Sequence, residues 1–235
     1  MNIVITGASQ GIGFEIARHI AQMGDHTIVA IARNQEKLKA LKNACLHENF
    51  RTKVIPIQFD LGVLNAIDTL LVEQISAAIP SVDVLVNNAG ILVNRPFIES
   101  SIEDIQESIG TNFAAPALLI KSLMPLFSSH AHIVNISSMG GVQGSVKFAG
   151  LSLYSSSKGA LAVLTECLAE EYNGSGLHFN CLALGAVNTE MLQAAFPDYT
   201  ALLEPSDMGR FIADFALNQG RFFNGKIIPV SATTP

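Results

Sequence analysis

The sequence of 235 residues can form one large domain or two small ones, and its hydrophobic content of 49% is ample for a buried core. A formal net charge of −6 argues against the basic surface of a nucleic-acid-binding protein. No charged and apolar leader precedes the first strand-like run, and no uninterrupted run of about 18 apolar residues indicates a membrane span. We therefore expect a cytoplasmic protein that binds neither nucleic acid nor a membrane.

Apolar runs rich in Val and Ile alternate with helical patterns along the chain. The predicted strands are residues 2–6, 26–32, 53–57, 82–87, 132–137, 177–182 and 226–230. The predicted helices are residues 11–23, 35–48, 63–79, 102–128, 154–172 and 205–218. Strands this apolar need cover on both faces, which a parallel sheet between two helical layers provides.

We accordingly predict an α/β fold, a doubly wound three-layer parallel sheet of about seven strands that forms a single domain over residues 1–235. Ligands should bind at the carboxyl ends of the strands, where the strand order reverses. The segment 185–204 interrupts the regular alternation and is a candidate for a mobile lid over the substrate.

The cysteines and histidines lack the spacing of a metal site or a redox motif. Cys45, Cys167 and Cys181 stand far apart, and we interpret them as reduced packing residues. His130 and His132 have no carboxylate or thiol near them in the sequence, which favours solvated or capping side chains. The sequence predicts no metal.

The first turn contains three glycines, Gly7, Gly11 and Gly13, which directly follow a strand and open a helix. Glycine lets a pyrophosphate approach backbone N–H groups at the positive end of the helix dipole. A tight turn that packs closely for its own sake is the alternative interpretation.

Tyr154 and Lys158 stand four residues apart at the start of a helical pattern, so their side chains share one face. A tyrosine with its usual pKa of about 10 exchanges protons poorly near neutrality, and a nearby ammonium group favours the phenolate. An inert pair on an exposed helix face is the alternative.

The spacing Gly-x-x-x-Gly-x-Gly after Thr6 resembles the first turn of the short-chain dehydrogenase/reductase family. Four further motifs follow in the family's order: Asp60-Leu61, Asn87-Asn88-Ala89-Gly90, Ile136-Ser137-Ser138 and Tyr154-Ser155-Ser156-Ser157-Lys158. The resemblance implies a Rossmann fold and an enzyme that interconverts an alcohol and a carbonyl with NAD(P).

The resemblance also implies four catalytic residues. Tyr154 would be the general acid in carbonyl reduction and the base in alcohol oxidation, and Lys158 would bind the cofactor ribose and depress the tyrosine pKa. Ser138 would hydrogen-bond the substrate oxygen. Asn112 matches an asparagine that kinks a helix and holds a water for the proton relay, with an ordinary buried amide as its alternative. Ser137 is interpreted as structural.

The cofactor-binding residues that the resemblance implies surround the first turn, the strand ends and the start of the lid. They are Gly7, Ser9, Gln10, Gly11, Ile12, Gly13, Arg33, Asp60, Leu61, Asn88, Ala89, Gly90, Tyr154, Lys158, Val187 and Thr189.

The end of the second strand bears on the choice of nicotinamide. Ala32 stands where an NAD-selective site carries an acid for the ribose 2′-hydroxyl, and Arg33 can pair with a 2′-phosphate. The sequence therefore predicts NADP(H) rather than NAD(H). Gln10 stands where NADP-dependent relatives often carry a basic residue, and Arg33 as a solvated cation is the alternative.

The expected pocket has a mainly apolar lining with Lys147 as its nearest cation, which suits a small, neutral, moderately apolar ketone or aldehyde. Reduction of 3-oxoacyl thioesters is one candidate activity. The apolar candidates are Ile91, Leu92, Val93, Met139, Val142, Phe148, Leu151, Met191 and Phe196. Simple core or lid packing is the alternative for each of them.

Three departures from the family pattern concern the pocket. Leu184-Gly185 replaces a Pro-Gly pair, the loop between Ser138 and Tyr154 is long, and residues 229–235 lack an Asp-Gly-Gly sequence. None of these departures removes a catalytic candidate.

Two functions of different class fit the sequence. The first is an NADP(H)-dependent carbonyl reductase or alcohol dehydrogenase; the alternative is a non-catalytic NADP(H)-binding redox sensor or scaffold, which would not need the complete catalytic set. Family resemblance also implies assembly through the helices that contain Asn112 and Tyr154. Leu161, Leu164 and Leu168 permit such a contact but can equally face the sheet, and we predict a homodimer or homotetramer.

Overall fold

Seven parallel strands form one sheet in the computed structural model, which describes residues 1–232. The strands are Asn2–Thr6 (β1), Thr27–Ala32 (β2), Lys53–Gln58 (β3), Val82–Asn87 (β4), Phe127–Ser138 (β5), His178–Leu184 (β6) and Lys226–Val230 (β7). Their order is β3-β2-β1-β4-β5-β6-β7, and every neighbouring pair is parallel. The predicted doubly wound α/β fold is confirmed. Residues 233–235, part of the third departure noted above, lie outside the described range.

Helices cover both faces of the sheet. They are Gly11–Met23 (α1), Gln35–Glu48 (α2), Val72–Ala78 (α3), Ile102–Ile109 (α4), Ala115–Leu123 (α5), Ser152–Glu171 (α6), Glu190–Ala195 (α7) and Pro205–Asp214 (α8). Wider π-helical turns extend or join four of them, at Ile67–Leu71, Gly110–Ala114 and Phe215–Gln219.

Each face has its own apolar core. One core packs α1, α2 and α8 against the sheet, with Ile16, Leu38 and Ile212 fully buried. The other packs α3 and α5 against the opposite face, with Ile75 and Leu119 fully buried. Burial on both faces explains why the strands are apolar along their length.

The helical stretch from Ile102 to Leu126 is long and apolar enough, by length and composition, to cross a membrane. In this fold its second half is a core helix, because Leu119, Ile120 and Leu123 of α5 are buried against the sheet. Its apolar composition is therefore accounted for by the packing of α5.

Candidate active site

The end of β1 is joined to the end of β4 at the point where the strand order reverses. Thr6 Oγ1 accepts hydrogen bonds from the backbone N–H groups of Asn88 at 3.1 Å and Ala89 at 3.0 Å. The Asn88 side-chain amide in turn donates to the Thr6 carbonyl oxygen at 3.0 Å. These bonds hold the first glycine turn and the Asn88–Ala89 segment together as the floor of a cleft.

The first turn depends on glycine for two different reasons. Gly7 has a φ of 66°, in the left-handed region, and a Cβ there would lie 2.8 Å from the Ala89 Cα. A Cβ on Gly13 would lie 2.3 Å from the Gly7 carbonyl oxygen. Gly13 does not line the cleft; it is buried beneath the turn, where the helix begins against the Gly7 backbone, and its predicted cofactor contact remains a prediction.

The N-terminus of α1 is open toward the cleft. Gln10, at its N-cap, makes no side-chain hydrogen bond to the helix, and the first turn of α1 contains no acidic residue. By contrast, Asn34 caps α2 and Thr189 caps α7 through their side-chain oxygens. The backbone N–H groups at the start of α1 are therefore available to an anionic group.

The cleft above this turn has a volume of about 1000 Å³ and extends from β2 across β1 and β4 to α6 and α7. Gly13 apart, every residue predicted to bind the cofactor lines it. These are Gly7, Ser9, Gln10, Gly11, Ile12, Arg33, Asp60, Leu61, Asn88, Ala89, Gly90, Tyr154, Lys158, Val187 and Thr189. The volume, the glycine cradle and the uncapped helix together fit a dinucleotide such as NAD(P).

Lys158 is a buried cation in the wall formed by α6. Its ammonium nitrogen donates a hydrogen bond to the Ile136 carbonyl oxygen at 2.8 Å, and only 4% of the residue is exposed. Burial lowers the pKa of Lys158 to about 8, so the group is still mainly charged at neutral pH. Ser137, interpreted as structural, donates to the backbone carbonyl of Lys158 at 2.8 Å and thereby joins β5 to α6.

Tyr154 and Ser138 lie in the same wall. Burial raises the pKa of the Tyr154 phenol above its usual value, while its side-chain hydrogen bond with Ser138 acts in the opposite direction. The net direction is opposite to the lowering that the sequence suggested, because desolvation opposes the phenolate. Ser138 Oγ also accepts a hydrogen bond from the Gly140 backbone N–H at 3.2 Å, which orients the hydroxyl.

Asn112 lies behind the cleft rather than in its lining. Its Oδ1 accepts from the Ile91 N–H at 2.9 Å, and its Nδ2 donates to the Ile91 carbonyl and to Ser157 Oγ, both at 3.0 Å. Ser157 Oγ donates in turn to the Tyr154 carbonyl oxygen at 2.8 Å. The side chain therefore joins the Ile91 backbone to α6.

The predicted kink at Asn112 coincides with the π-helical turn Gly110–Ala114, which separates α4 from α5. The residue is completely buried, and its amide is fully paired with Ile91 and Ser157. A wider turn lets this side chain leave the helix and reach the neighbouring backbone.

The far end of the cleft is mainly apolar, as predicted. The predicted side chains that line it are Ile91, Leu92, Met139, Phe148, Leu151, Met191 and Phe196, whereas Val93 and Val142 do not. Lys147 does not line it either, because its ammonium group bonds to the Val142 carbonyl at 2.6 Å and to Ser145 within its own loop.

Two charged residues of the cleft were missed in the sequence. Lys37 and Glu190 both line it, and the Lys37 ammonium lies 3.4 Å from a Glu190 carboxylate oxygen. Lys37 could have been found from its position in the first turn of a predicted helix, where the helix dipole disfavours a cation and a partner outside the helix is expected. Glu190 carries no comparable signal, since an acid in the first turn of α7 suits the dipole.

The segment predicted as a lid contains the short helix α7, which begins directly after the Thr189 cap. Asn94 donates a hydrogen bond to the Ala195 carbonyl at 2.8 Å and so connects the loop after β4 to the end of α7. Val187 forms an isolated parallel bridge with Leu203. Motion of this segment remains a prediction.

Comparison with known proteins decides the family. A family model described as short chain dehydrogenase matches residues 1–200. The chain belongs to the short-chain dehydrogenase family. The predicted membership, and the prediction of an oxidoreductase class that acts between alcohol and carbonyl with NAD(P), are confirmed.

Among curated short-chain dehydrogenases, the chain is 31% identical over 242 residues to the 3-oxoacyl-acyl-carrier-protein reductase FabG of Rickettsia bellii, covering 97% of this chain and 94% of that protein. It is 33% identical over 214 residues to a fatty acyl-CoA reductase of Acinetobacter baylyi, covering 89% of this chain and 70% of that protein. Two further reductases at 33 and 34% identity are longer proteins, of which the chain spans 64 and 63%.

Among solved structures, the chain resembles a short-chain dehydrogenase structure from Shigella flexneri that is complexed with NADP. The TM-score is 0.86 at 29% identity, covering 97% of this chain and 95% of that one. Such a likeness over nearly the whole of both chains agrees with a single Rossmann domain.

Proposed function

We propose that this short-chain dehydrogenase is an NADP(H)-dependent oxidoreductase that interconverts a carbonyl and an alcohol on a neutral, moderately apolar substrate. The observation that carries the proposal is the shared position of Ser138, Tyr154 and Lys158 in one wall of the cleft that the glycine turn opens. A protein that only bound a dinucleotide would have no need of a phenol in the cleft wall that is hydrogen-bonded to a serine.

The chain's own residues would move the proton. When bound, the reduced nicotinamide supplies a hydride to the carbonyl carbon. Tyr154 donates its phenolic proton to the carbonyl oxygen as negative charge develops there, and Ser138 stabilises that oxygen by a hydrogen bond. Lys158 supports the phenolate that remains, because its ammonium favours the charged form. In alcohol oxidation the phenolate takes the proton back.

The mechanism needs Lys158 to be fixed rather than mobile. Its hydrogen bond to the Ile136 carbonyl and the support of Ser137 hold the ammonium group in place before substrate arrives. Asn112 acts one step further away, since it positions the Ile91 backbone and the Ser157 hydroxyl. We assign it a positioning role.

The preference for NADP(H) is supported by the end of β2. Ala32 offers no carboxylate to a ribose 2′-hydroxyl, and Arg33 is exposed at the rim of the cleft. Among residues 1–232, no ion pair neutralises the Arg33 guanidinium. A 2′-phosphate is a natural partner for that group.

The apolar lining at the substrate end of the cleft favours a substrate that carries an acyl chain. Phe148 and Met191 line it and are 55% and 40% exposed, so they offer apolar surface that a substrate can cover. The relatives named above include a 3-oxoacyl thioester reductase and a fatty acyl-CoA reductase. We therefore propose 3-oxoacyl thioesters as the first substrate class to test.

The test follows NADPH consumption with ketones, aldehydes and 3-oxoacyl thioesters, using wild type, Tyr154→Phe and Tyr172→Phe. Tyr172 follows α6 and lies outside the cleft lining, so its variant is the matched control. We expect Tyr154→Phe to lower kcat by about 10²- to 10⁴-fold while NADPH still binds. Full activity of Tyr154→Phe would refute the acid assignment, and NADPH binding without turnover of any compound would favour a redox sensor or scaffold.

A further inference from the structure

Lys37 extends from the start of α2 into the cofactor end of the cleft. Its ammonium nitrogen lies 2.5 Å from Gln10 Oε1 and 3.4 Å from Glu190 Oε2. The three side chains come from separate parts of the chain: the glycine turn, α2 and the first residue of α7. Arg33, four residues earlier, lines the same cleft.

The local helix does not account for a cation at this position. Lys37 is the third residue of α2, where the positive end of the dipole disfavours an ammonium group. Its acidic neighbour Glu36 is paired with Lys39 at 2.7 Å instead. The contacts of Lys37 are made across the cleft, so the reason for the cation lies there.

We propose that Lys37 recognises the 2′-phosphate of NADP(H) together with Arg33, and that Glu190 is the internal anion which this phosphate replaces. The inference rests on the proposed NADP(H)-dependent function and names a specificity-determining residue for it. Gln10 is uncharged, and the hydrogen bond from Lys37 brings a positive charge to its side chain.

The charges of the 2′-phosphate, Glu190 and Lys37 favour replacement of the Glu190 carboxylate by the phosphate as the partner of Lys37. A phosphate monoester near neutral pH carries close to two negative charges and three acceptor oxygens, whereas Glu190 carries one charge. The Lys37 and Glu190 side chains are 43% and 68% exposed, and an exposed pair of this kind is weak. A bound dianion between Arg33 and Lys37 therefore competes well for the ammonium group.

The first experiment measures the dissociation constants of NADPH and NADH by titrating cofactor fluorescence, for wild type, Lys37→Ala, Lys37→Arg and Lys39→Ala. Lys39 is an exposed lysine of the same helix outside the cleft lining and serves as the matched control. We expect Lys37→Ala to weaken NADPH binding by about 10- to 30-fold and to change NADH binding less than about twofold. Lys37→Arg should restore most of the preference, and Lys39→Ala should match wild type.

A merely structural Lys37 would give a different result. If Lys37→Ala weakens NADPH and NADH equally, or weakens neither, the residue does not recognise the 2′-phosphate and the inference is overturned. Repeating the titration at higher ionic strength adds a second readout. The NADPH advantage of wild type should shrink more steeply with salt than that of Lys37→Ala, because the variant keeps only the Arg33 contact to the phosphate.

Glu190→Gln tests the competing anion. Removing this carboxylate should strengthen NADPH binding about two- to fivefold at low ionic strength and leave NADH binding unchanged. Unchanged or weaker NADPH binding would overturn the role of Glu190.

Arg33→Ala separates this inference from the proposed function. If wild type does not prefer NADPH over NADH, the proposed cofactor assignment itself fails. If wild type prefers NADPH, and Arg33→Ala removes that preference while Lys37→Ala does not, only the inference about Lys37 fails.

Discussion

The Lys158 ammonium nitrogen lies 2.8 Å from the carbonyl oxygen of Ile136, at the edge of the sheet where β5 ends. One hydrogen bond to a neutral carbonyl replaces only part of the hydration that the ammonium loses on burial. The lowered pKa of Lys158, about 8 against an ordinary 10.5, expresses that loss. The protein therefore holds a catalytic candidate in place at the expense of its own stability.

Replacing Lys158 with Met should stabilise the protein at neutral pH by up to about 3 kcal/mol, because the variant no longer buries a charge. The pKa is lower in the folded state, so between pH 8 and 10.5 the unfolded chain holds a proton that the folded chain has lost. The free energy of unfolding of wild type rises with pH across that window, and the advantage of Lys158→Met shrinks there.

Urea unfolding of both proteins from pH 7 to pH 10 measures this difference. Lys42→Met, at an exposed position of α2, should show no such pH-dependent gap. A Lys158→Met variant less stable than wild type at pH 7 would contradict the prediction.

Asn112→Ala should lower the free energy of unfolding by about 2 to 4 kcal/mol. The variant leaves the half-buried Ile91 N–H and carbonyl without their side-chain partner and removes one buried bond from Ser157. Thermal unfolding provides the measurement, and kcat should fall together with stability because the Ile91 backbone loses its support. Ser157→Ala, which removes only hydroxyl bonds, should be the milder change.

Gly13→Ala should disrupt the first turn, because the new methyl group would lie 2.3 Å from the Gly7 carbonyl oxygen and 2.5 Å from Asn88 Nδ2. Overpacking against backbone typically costs about 1 to 3 kcal/mol, and cofactor binding should weaken because the turn must shift. Gly110→Ala is the control, since its methyl group would meet no atom within 4 Å. That variant should be stabilised by about 0.4 to 1 kcal/mol. Equal melting temperatures for the two variants would refute the packing argument.

His132 should make the protein sensitive to acid. Its Nδ1 donates to the Ala216 carbonyl at 3.0 Å and its Nε2 accepts from Asn180 Nδ2 at 3.0 Å, which defines a neutral ring. The residue is buried, not solvated or capping as the sequence suggested, and burial lowers its pKa from 6.5 to about 4. The unfolded chain therefore takes up a proton between pH 6.5 and 4 that the folded chain resists, and stability falls as pH falls through that window.

Wild type should lose up to about 3 kcal/mol more stability than His132→Gln on going from pH 7 to pH 4. His130→Gln, at an exposed position nearby, should keep the wild-type pH profile. Parallel profiles for wild type and His132→Gln in denaturant unfolding would show that His132 is not the sensitive group.

Assembly into a homodimer or homotetramer remains a prediction, and the structure points to particular side chains for it. Leu161 is buried and Leu168 packs against the core, so these leucines of α6 face the fold interior. Ile102 and Ile105 of α4 and Val163 of α6 are exposed instead, at 66%, 40% and 57%. Sedimentation should give an oligomer for wild type and a smaller species for Ile102→Glu; a monomeric wild type at micromolar concentrations would refute the prediction.

The sequence was sufficient to predict the strands, because each is a compact apolar run between turn residues. All seven were placed within two residues at both ends, apart from the start of β5. That strand begins at Phe127, where the prediction continued a helix to residue 128. Residues 128–130 are polar, so the apolar pattern does not indicate that the strand begins at Phe127. The pairing register with β4 also shifts in this part of the strand.

The interruptions in the helices and the charged contacts of the cleft could not be predicted from the sequence. The π-helical turn at Asn112 depends on bonds to Ile91 and Ser157, which are distant in the chain. The six-residue helix α7 is too short to show a period, and its cap at Thr189 had been assigned to cofactor binding. The place of Lys37 in the cleft could not be predicted, because its contact with Glu190 joins residues that are distant in the chain.

The strand order has a consequence for how this protein can change. Because β1 lies beside β4, the chain up to β3 builds one half of the sheet and the chain from β4 onward builds the other. Arg33 and Lys37 belong to the first half, and Ser138, Tyr154 and Lys158 to the second. Recombination between β3 and β4 could therefore exchange cofactor preference among relatives while leaving the proton-transfer machinery untouched. Glu190, in the second half, would be the main residue that has to suit whatever side chain the new first half places at position 37.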